Sequence, residues 1–383
     1  MRRTLIVIGV SFLFVLPSWS AVAAPRLEWT RQFPGWVMAV DTSSNGVTAV
    51  VGSRWAPGGH QTMSIVVYGP RGGQRWRGIW RPAGESAFAS AVAVAADGSV
   101  YVGGHRTSVD VYETEEWWFL RRYSASGALL WHREQPPAQH PATWGMIDAI
   151  ATRSGGVVVA GSDTGCCDIG AGQDGWVRAF GSGGALLWTN PFEPPGIAAR
   201  TQDLVWDVAA HRGAIYAAGY VAIGTAEEPW KDHEAVVARL TPDGSLAWAR
   251  VFRDPGIQDD LDEAVSITIA AGRPVAAIQM NATISAWTRF VGLRATTGTL
   301  RWSAGTNGWP VALEGTASGA LYLLSRHPEQ YLLREFGPQG NQVWSSDDLG
   351  RWIADLSIAA RRMSLVGDNP SGGGSRIWRY AVS

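Results

Sequence analysis

Short runs of alternating apolar residues, separated by Gly-centred turns, recur along almost the whole chain. The stretch from Ala91 to Trp131 shows the unit. Ala91 to Ala95 is a run of small residues. Ala96-Asp97-Gly98 is a turn, with Gly where a positive φ costs little. Ser99 to Gly103 follows, with Val100 and Val102 on one face, and a variable loop runs to Glu116. Trp117 to Tyr123 is a third run, Ser124 to Gly127 a turn, and Ala128 to Arg133 a fourth. Period-two alternation in four successive segments predicts four antiparallel strands, the content of one β-propeller blade.

The unit ending repeats. Gly184-Ala185-Leu186-Leu187-Trp188 has a close copy in Gly127 to Trp131, and related endings reach Trp29, Trp76, Trp248, Trp302 and Trp344. Successive copies lie 42 to 60 residues apart, an ordinary blade length of about 40–60 residues. The first hairpin of the unit recurs at Val37 to Gly52, Ile147 to Gly161, Val205 to Gly219, Ala264 to Ile278, Val311 to Leu324 and Ile353 to Gly367. The last unit has room for only three strands before Ser383. Arg26 to Gln32, with Trp29 in the expected place, supplies the fourth. The expected fold is therefore all-β: a seven-bladed propeller of four-stranded antiparallel blades. Its ring closes where the N-terminal strand pairs beside the C-terminal blade, removing an exposed sheet edge. One domain spans 24–383. The repeated indoles read as packing posts between neighbouring blades.

Composition agrees. The chain has 383 residues, 46% of them hydrophobic and only 17% charged, with 46 Gly and 21 Trp. That suits many short strands joined by tight turns. A net charge of -1 without a basic stretch excludes a non-specific nucleic-acid binder, which needs a patch of Lys and Arg. At the N-terminus, Arg2 and Arg3 precede an apolar run from Thr4 to Leu16, Pro17 breaks it, and Ala21-Val22-Ala23 forms a small-x-small cleavage site. Residues 1–23 read as a cleaved signal peptide, so the mature protein is expected to be secreted or periplasmic, soluble, without a membrane span, and monomeric. The two cysteines, Cys166 and Cys167, are adjacent and cannot staple distant segments.

Loop lengths are expected to be asymmetric. Turns such as Asp97-Gly98, Ser154-Gly155, Asp243-Gly244 and Thr297-Gly298 are short, whereas the connections from second to third strand and from blade to blade read as long and irregular. In a propeller these long connections share one face, and long loops on a rigid scaffold are where function sits. Five indoles stand at or near the entry to innermost strands on that face: Trp36, Trp144, Trp206, Trp309 and Trp352. They are candidates for an aromatic collar around the channel mouth, with packing between blades as the plainer role. The loop from Arg253 to Glu263 carries Asp259, Asp260 and Asp262, a candidate calcium site that lacks the Gly and the ligand alternation of a known calcium loop.

Other motifs do not hold. Gly170 to Gly175 fits G-x-G-x-x-G, but it leads from a loop into a strand rather than from a strand into a helix. His233-Glu234 begins like a zinc-protease helix, but Val237 stands at the second His position. No phosphate loop or nucleophile elbow is present, and no acid–base set can be named.

The ending Ala295-Thr296-Thr297-Gly298-Thr299-Leu300-Arg301-Trp302 resembles that of the quinoprotein-type (PQQ-like) β-propeller repeats, close to their T-G-K-x-x-W. Thr299 replaces the Lys, and Arg294 sits where an Asp is usual. Quinoprotein alcohol dehydrogenases hold PQQ between a Trp and a vicinal disulfide with Ca²⁺ nearby, so the resemblance implies a cofactor-binding role for Cys166-Cys167. Seven blades, the missing repeat Asp and the lack of an Asp base argue against it. The leading expectation is a non-catalytic propeller, needing no cofactor, that binds a protein or glycan through its long-loop face. The alternatives are a dehydrogenase dependent on PQQ and Ca²⁺, and a polysaccharide hydrolase or lyase with paired carboxylates converging in the channel.

Overall fold

The computed structural model describes residues 25–382, apart from 109–115, 136–142, 166–172, 196–201, 224–231, 254–260, 281–286, 351 and 369–373. The described residues form twenty-eight strands and no helix. They build seven four-stranded antiparallel blades, with blades 2 and 3 joined by one parallel bridge between Trp144 and Glu116. In blades 1 to 6 the strands run from the axis outward in chain order. The innermost strands are Trp36–Thr42, Glu85–Val94, Thr143–Arg153, Gln202–His211, Glu263–Ala270, Trp309–Gly315 and Ile353–Ala359. In blade 7 the outermost strand is Arg26–Phe33, paired antiparallel with Ser375–Ala381 from Arg26↔Ala381 to Phe33↔Ser375.

Burial follows position in the blade. Second strands such as Thr48–Trp55 and Ala214–Ala222 are covered on both faces by neighbouring blades, and they read as nearly continuous apolar runs. Outer strands such as Leu186–Pro191 and Leu300–Asn307 alternate between exposed and half-buried residues. Innermost strands converge on the axis, where small side chains ease close approach. That accounts for Ala89, Ala91 and Ala93 in blade 2.

The repeated Gly and Trp meet across blade boundaries. The Gly between third and fourth strands has a positive φ, and the indole of the preceding blade lies against it. A Cβ on Gly127 would stand 2.8 Å from Trp76, on Gly184 2.8 Å from Trp131, on Gly244 2.5 Å from Trp188 and on Gly298 2.6 Å from Trp248. Each of these indoles donates Nε1–H to a carbonyl of the same turn: Trp76 to Ala125 (3.1 Å), Trp131 to Ser182 (2.8 Å), Trp188 to Pro242 (3.0 Å) and Trp248 to Ala295 (3.1 Å). Glycine is needed here twice over, for its backbone conformation and for the flat contact. Burying one indole contributes at most about 4–6 kcal/mol, from ~150–250 Å² at ~25 cal/mol per Å².

Blade 7 meets blade 1 through a buried cation. Arg379, fully buried in the third strand of blade 7, lies opposite Trp29 in the sheet. It donates to Thr48 Oγ1 of blade 1 and to Ser364 Oγ (3.1 Å) of blade 7. Burial lowers its pKa to about 10.

Candidate functional site: the central channel and its mouth

Every innermost strand carries a β-bulge, at Met38, Ser90, Asp148, Trp206, Val265, Val311 and Ala354. A bulge inserts one residue and re-aims its neighbours. Here it sets which side chains face the axis. The result is a channel of about 520 Å³ whose only titratable lining groups, among the described residues, are acids: Asp41, Asp148, Asp207, Glu314 and Asp355.

Three of these acids have structural work. The innermost strand of a blade has one edge unpaired, and its N–H groups need acceptors. Asp207 Oδ2 of blade 4 accepts from Ile267 N–H (2.8 Å) and Ser266 Oγ–H (2.8 Å) of blade 5. Asp355 Oδ2 of blade 7 accepts from Val40 N–H (2.8 Å) of blade 1, and Asp41 Oδ2 of blade 1 from Val94 N–H (2.7 Å) of blade 2. Ser266 and Thr268 do the same for Leu313 (3.2 Å) and Gly315 (2.9 Å) of blade 6. In each case a side chain of one blade caps the inner edge of the next.

The other two acids are not used this way. Asp148 is the extra residue of its bulge, and its Oδ2 is buried without a hydrogen-bond donor. Burial lifts its pKa to about 7. Glu314 is raised well above the usual carboxylate range by burial and then by the charges of Asp41, Asp355 and Asp207. Burial also lifts Asp355 to about 7 and Asp207 to about 6, against the lowering effect of their hydrogen bonds. All five remain half-buried, with protein on most sides and an outlet to the channel.

At the mouth, between blades 5, 6, 7 and 1, lies a groove of about 340 Å³ whose walls include Trp309, Trp352, Tyr331, Arg326 and Met38. The Arg326 guanidinium sits 5.0 Å from the Trp309 ring centre. Met38, Val311 and Ala354 border both the groove and the channel, so the two are continuous.

The five indoles singled out in the sequence therefore separate. Trp309 and Trp352 share the groove. Trp206 lines the channel and contacts Tyr220 at 6.2 Å. Trp36, 51% exposed, meets Trp55, 60% exposed, edge-on at 6.3 Å. Trp144 lies in the innermost strand of blade 3 opposite Thr164, and its side chain is outside the described part. Cys166, Cys167, Asp259 and Asp260 also fall outside the described residues. Asp262 is fully buried, and its N–H donates to the His233 carbonyl (3.0 Å). Loop asymmetry is less uniform than expected, since blades 5 and 6 are linked by Gly308 alone.

Two arrangements escaped sequence reasoning, the second around His233, which the sequence offered only as the start of a zinc-protease-like motif. The channel acids left a readable trace, a carboxylate inside a run of small apolar residues. Near the loop face of blades 4 and 5, His233 stacks on Tyr220 at 4.0 Å, and its Nδ1 lies 3.0 Å from Glu263 Oε1. These residues lie far apart in sequence.

Calcium and PQQ can be weighed on the same geometry. The channel acids sit on three levels, three of them held by backbone N–H groups, and the described residues contain no group of three His, Cys, Asp or Glu that could hold a metal ion. The described channel does not fit calcium.

No protein family and no curated protein matches the chain. Among solved structures it is similar to BamB from Moraxella catarrhalis, at 12% identity and a TM-score of 0.50, over 94% of this chain and 100% of that one. It is similar to Raptor from Chaetomium thermophilum at 11% identity and a TM-score of 0.58, over 94% of this chain and 29% of that one. The Dos1 propeller matches at 10% identity and a TM-score of 0.52, over 93% and 95%. At such identities the likeness shows the fold alone.

Proposed function

We propose that this chain is a secreted or periplasmic, non-catalytic propeller that binds a protein or glycan ligand through its loop face. The observation that carries the reading is the groove at the channel mouth. The half-buried Trp309 and Trp352 offer flat faces over the buried Tyr331, and Arg326, stacked on Trp309, offers a forked donor at the rim. Rigid aromatics give contact area at small entropic cost, and they stack equally on sugar rings and peptide planes. The exposed Trp36–Trp55 pair extends the aromatic surface on blade 1. The Arg2-Arg3 start, the apolar run and the Ala21-Val22-Ala23 site support export.

The test is capture from the exported fraction together with a glycan array, using wild type, Trp309→Ala and Arg326→Ala. Loss of capture in both variants with unchanged thermal unfolding supports the groove. Capture retained by both would place the ligand elsewhere on the molecule.

A further inference from the structure

We propose that the central channel is a binding site for an aliphatic polyamine, a slender organic cation with ammonium groups along a methylene chain. The site lies along the axis, continuous at its mouth with the loop-face groove but lined by different polar groups, and its argument does not depend on that reading.

Charge complementarity comes first. Five carboxylates line the channel, with no Lys, Arg or His among the described lining residues. Asp41, Asp207 and Asp355 are accounted for by inter-blade hydrogen bonds. Asp148 and Glu314 are not. Asp148 Oδ2 has no donor, and Glu314 caps no neighbouring blade and lies within the field of Asp41, Asp355 and Asp207. A half-buried carboxyl with an unpartnered oxygen is a destabilising arrangement that a cation relieves.

Shape selects the kind of cation. Counted from the bulge, Asp148 is at the first level, Asp207 and Asp355 one residue deeper, and Asp41 and Glu314 three residues deeper. Three residues of strand cover about 10 Å. That spread is too wide for one metal ion and suits a chain with separated charges. The walls between the acids are Ala39, Ala91, Ala149 and Ala312, which offer apolar surface to methylenes. At the mouth end, Asp148 and Trp206 occupy equivalent bulge positions in adjacent blades. A carboxylate and an indole together favour an ammonium group there.

Binding must then release protons. A cation lowers the pKa of the acids it approaches, so Asp148, Asp207, Glu314 and Asp355 give up part of their bound protons as it enters. The titratable groups facing one another across the channel are these four and Asp41.

The test is isothermal titration of the whole protein with spermidine, putrescine, Nα-acetyl-lysine amide and Ca²⁺ separately, at pH 7.5 and pH 5.5. At pH 7.5 it is run in two buffers of different ionisation enthalpy. Spermidine is expected to bind more tightly than putrescine or the lysine amide, with a buffer-dependent enthalpy, and to weaken about tenfold or more at pH 5.5. Glu314→Gln and Asp148→Asn, neither of which removes an inter-blade hydrogen bond, should each weaken it several-fold. No spermidine binding at millimolar concentration, binding indifferent to both variants, or tighter binding of Ca²⁺ would overturn the proposal. Tighter binding of the lysine amide would overturn the polyamine assignment in favour of a protein-borne side chain. Trp309→Ala should leave spermidine binding intact, which separates failure here from failure of the loop-face reading.

Discussion

Replacing Gly184 by Ala tests whether the Trp–Gly contact holds neighbouring blades together. Gly184 has φ +84, and an added Cβ would lie 2.8 Å from Trp131 Cδ2, 3.0 Å from Cγ and 3.1 Å from Cε2. The backbone conformation alone costs an L residue about 1–2 kcal/mol. Pressing a methyl into the indole face costs a further ~1–3 kcal/mol, because the indole is also held by its hydrogen bond to Ser182 and cannot tilt away freely. The expected loss is about 2–5 kcal/mol. Gly155 supplies the internal control. It lies in the neighbouring hairpin of the same blade with φ +79, but nothing stands within 4 Å of its added Cβ. Gly155→Ala should cost only the backbone part, about 1–2 kcal/mol. The assay is equilibrium urea unfolding of wild type and both variants, read from midpoints at constant slope. Equal losses for the two substitutions would refute the packing argument and reduce the repeated Gly to a turn requirement.

Two further outcomes follow from buried charges. The folded-state pKa of Asp148, about 7 against an ordinary 3.8, means the native chain holds this proton more tightly than the unfolded chain. Its contribution is therefore most favourable below about pH 4 and is lost as pH rises to 7. Three pKa units amount to ~4 kcal/mol, reduced to about 1–3 kcal/mol because the channel admits water. Asp148→Asn should gain that much on wild type between pH 4.5 and pH 8 in urea unfolding, and a pH-independent difference would contradict the burial argument. Arg379→Ala should cost about 2–4 kcal/mol through the void and the stranded Thr48 and Ser364 hydroxyls. Arg379→Met should recover part of the loss in a thermal melt, and no recovery would show that packing volume is not the issue.

The blade count, the strand order and the short turns were legible in the amino-acid sequence because they are local. A Gly at positive φ and an alternating run act within one hairpin, a Trp a few residues later marks each copy, and repetition made the unit visible seven times. The outermost strand of blade 7 was legible too, since Trp29 has no other unit to complete. The acidic channel was not read. Asp41, Asp148, Asp207, Glu314 and Asp355 lie tens of residues apart, each looking like one polar residue in an alanine-rich strand. Whether each faces the axis depends on a one-residue bulge, which reverses side-chain direction without changing composition. The indoles show the same limit from the other side. Their places at or near the strand entries were evident except for Trp206, which lies mid-strand at a bulge, but Trp309 and Trp352 were brought to one groove, Trp206 to the channel wall and Trp36 to Trp55 only by the packing of whole blades. Sequence alone determined the repeating unit; where side chains of different units meet, and what charge the axis carries, was decided by tertiary structure, because those distances exist only once the wheel is assembled.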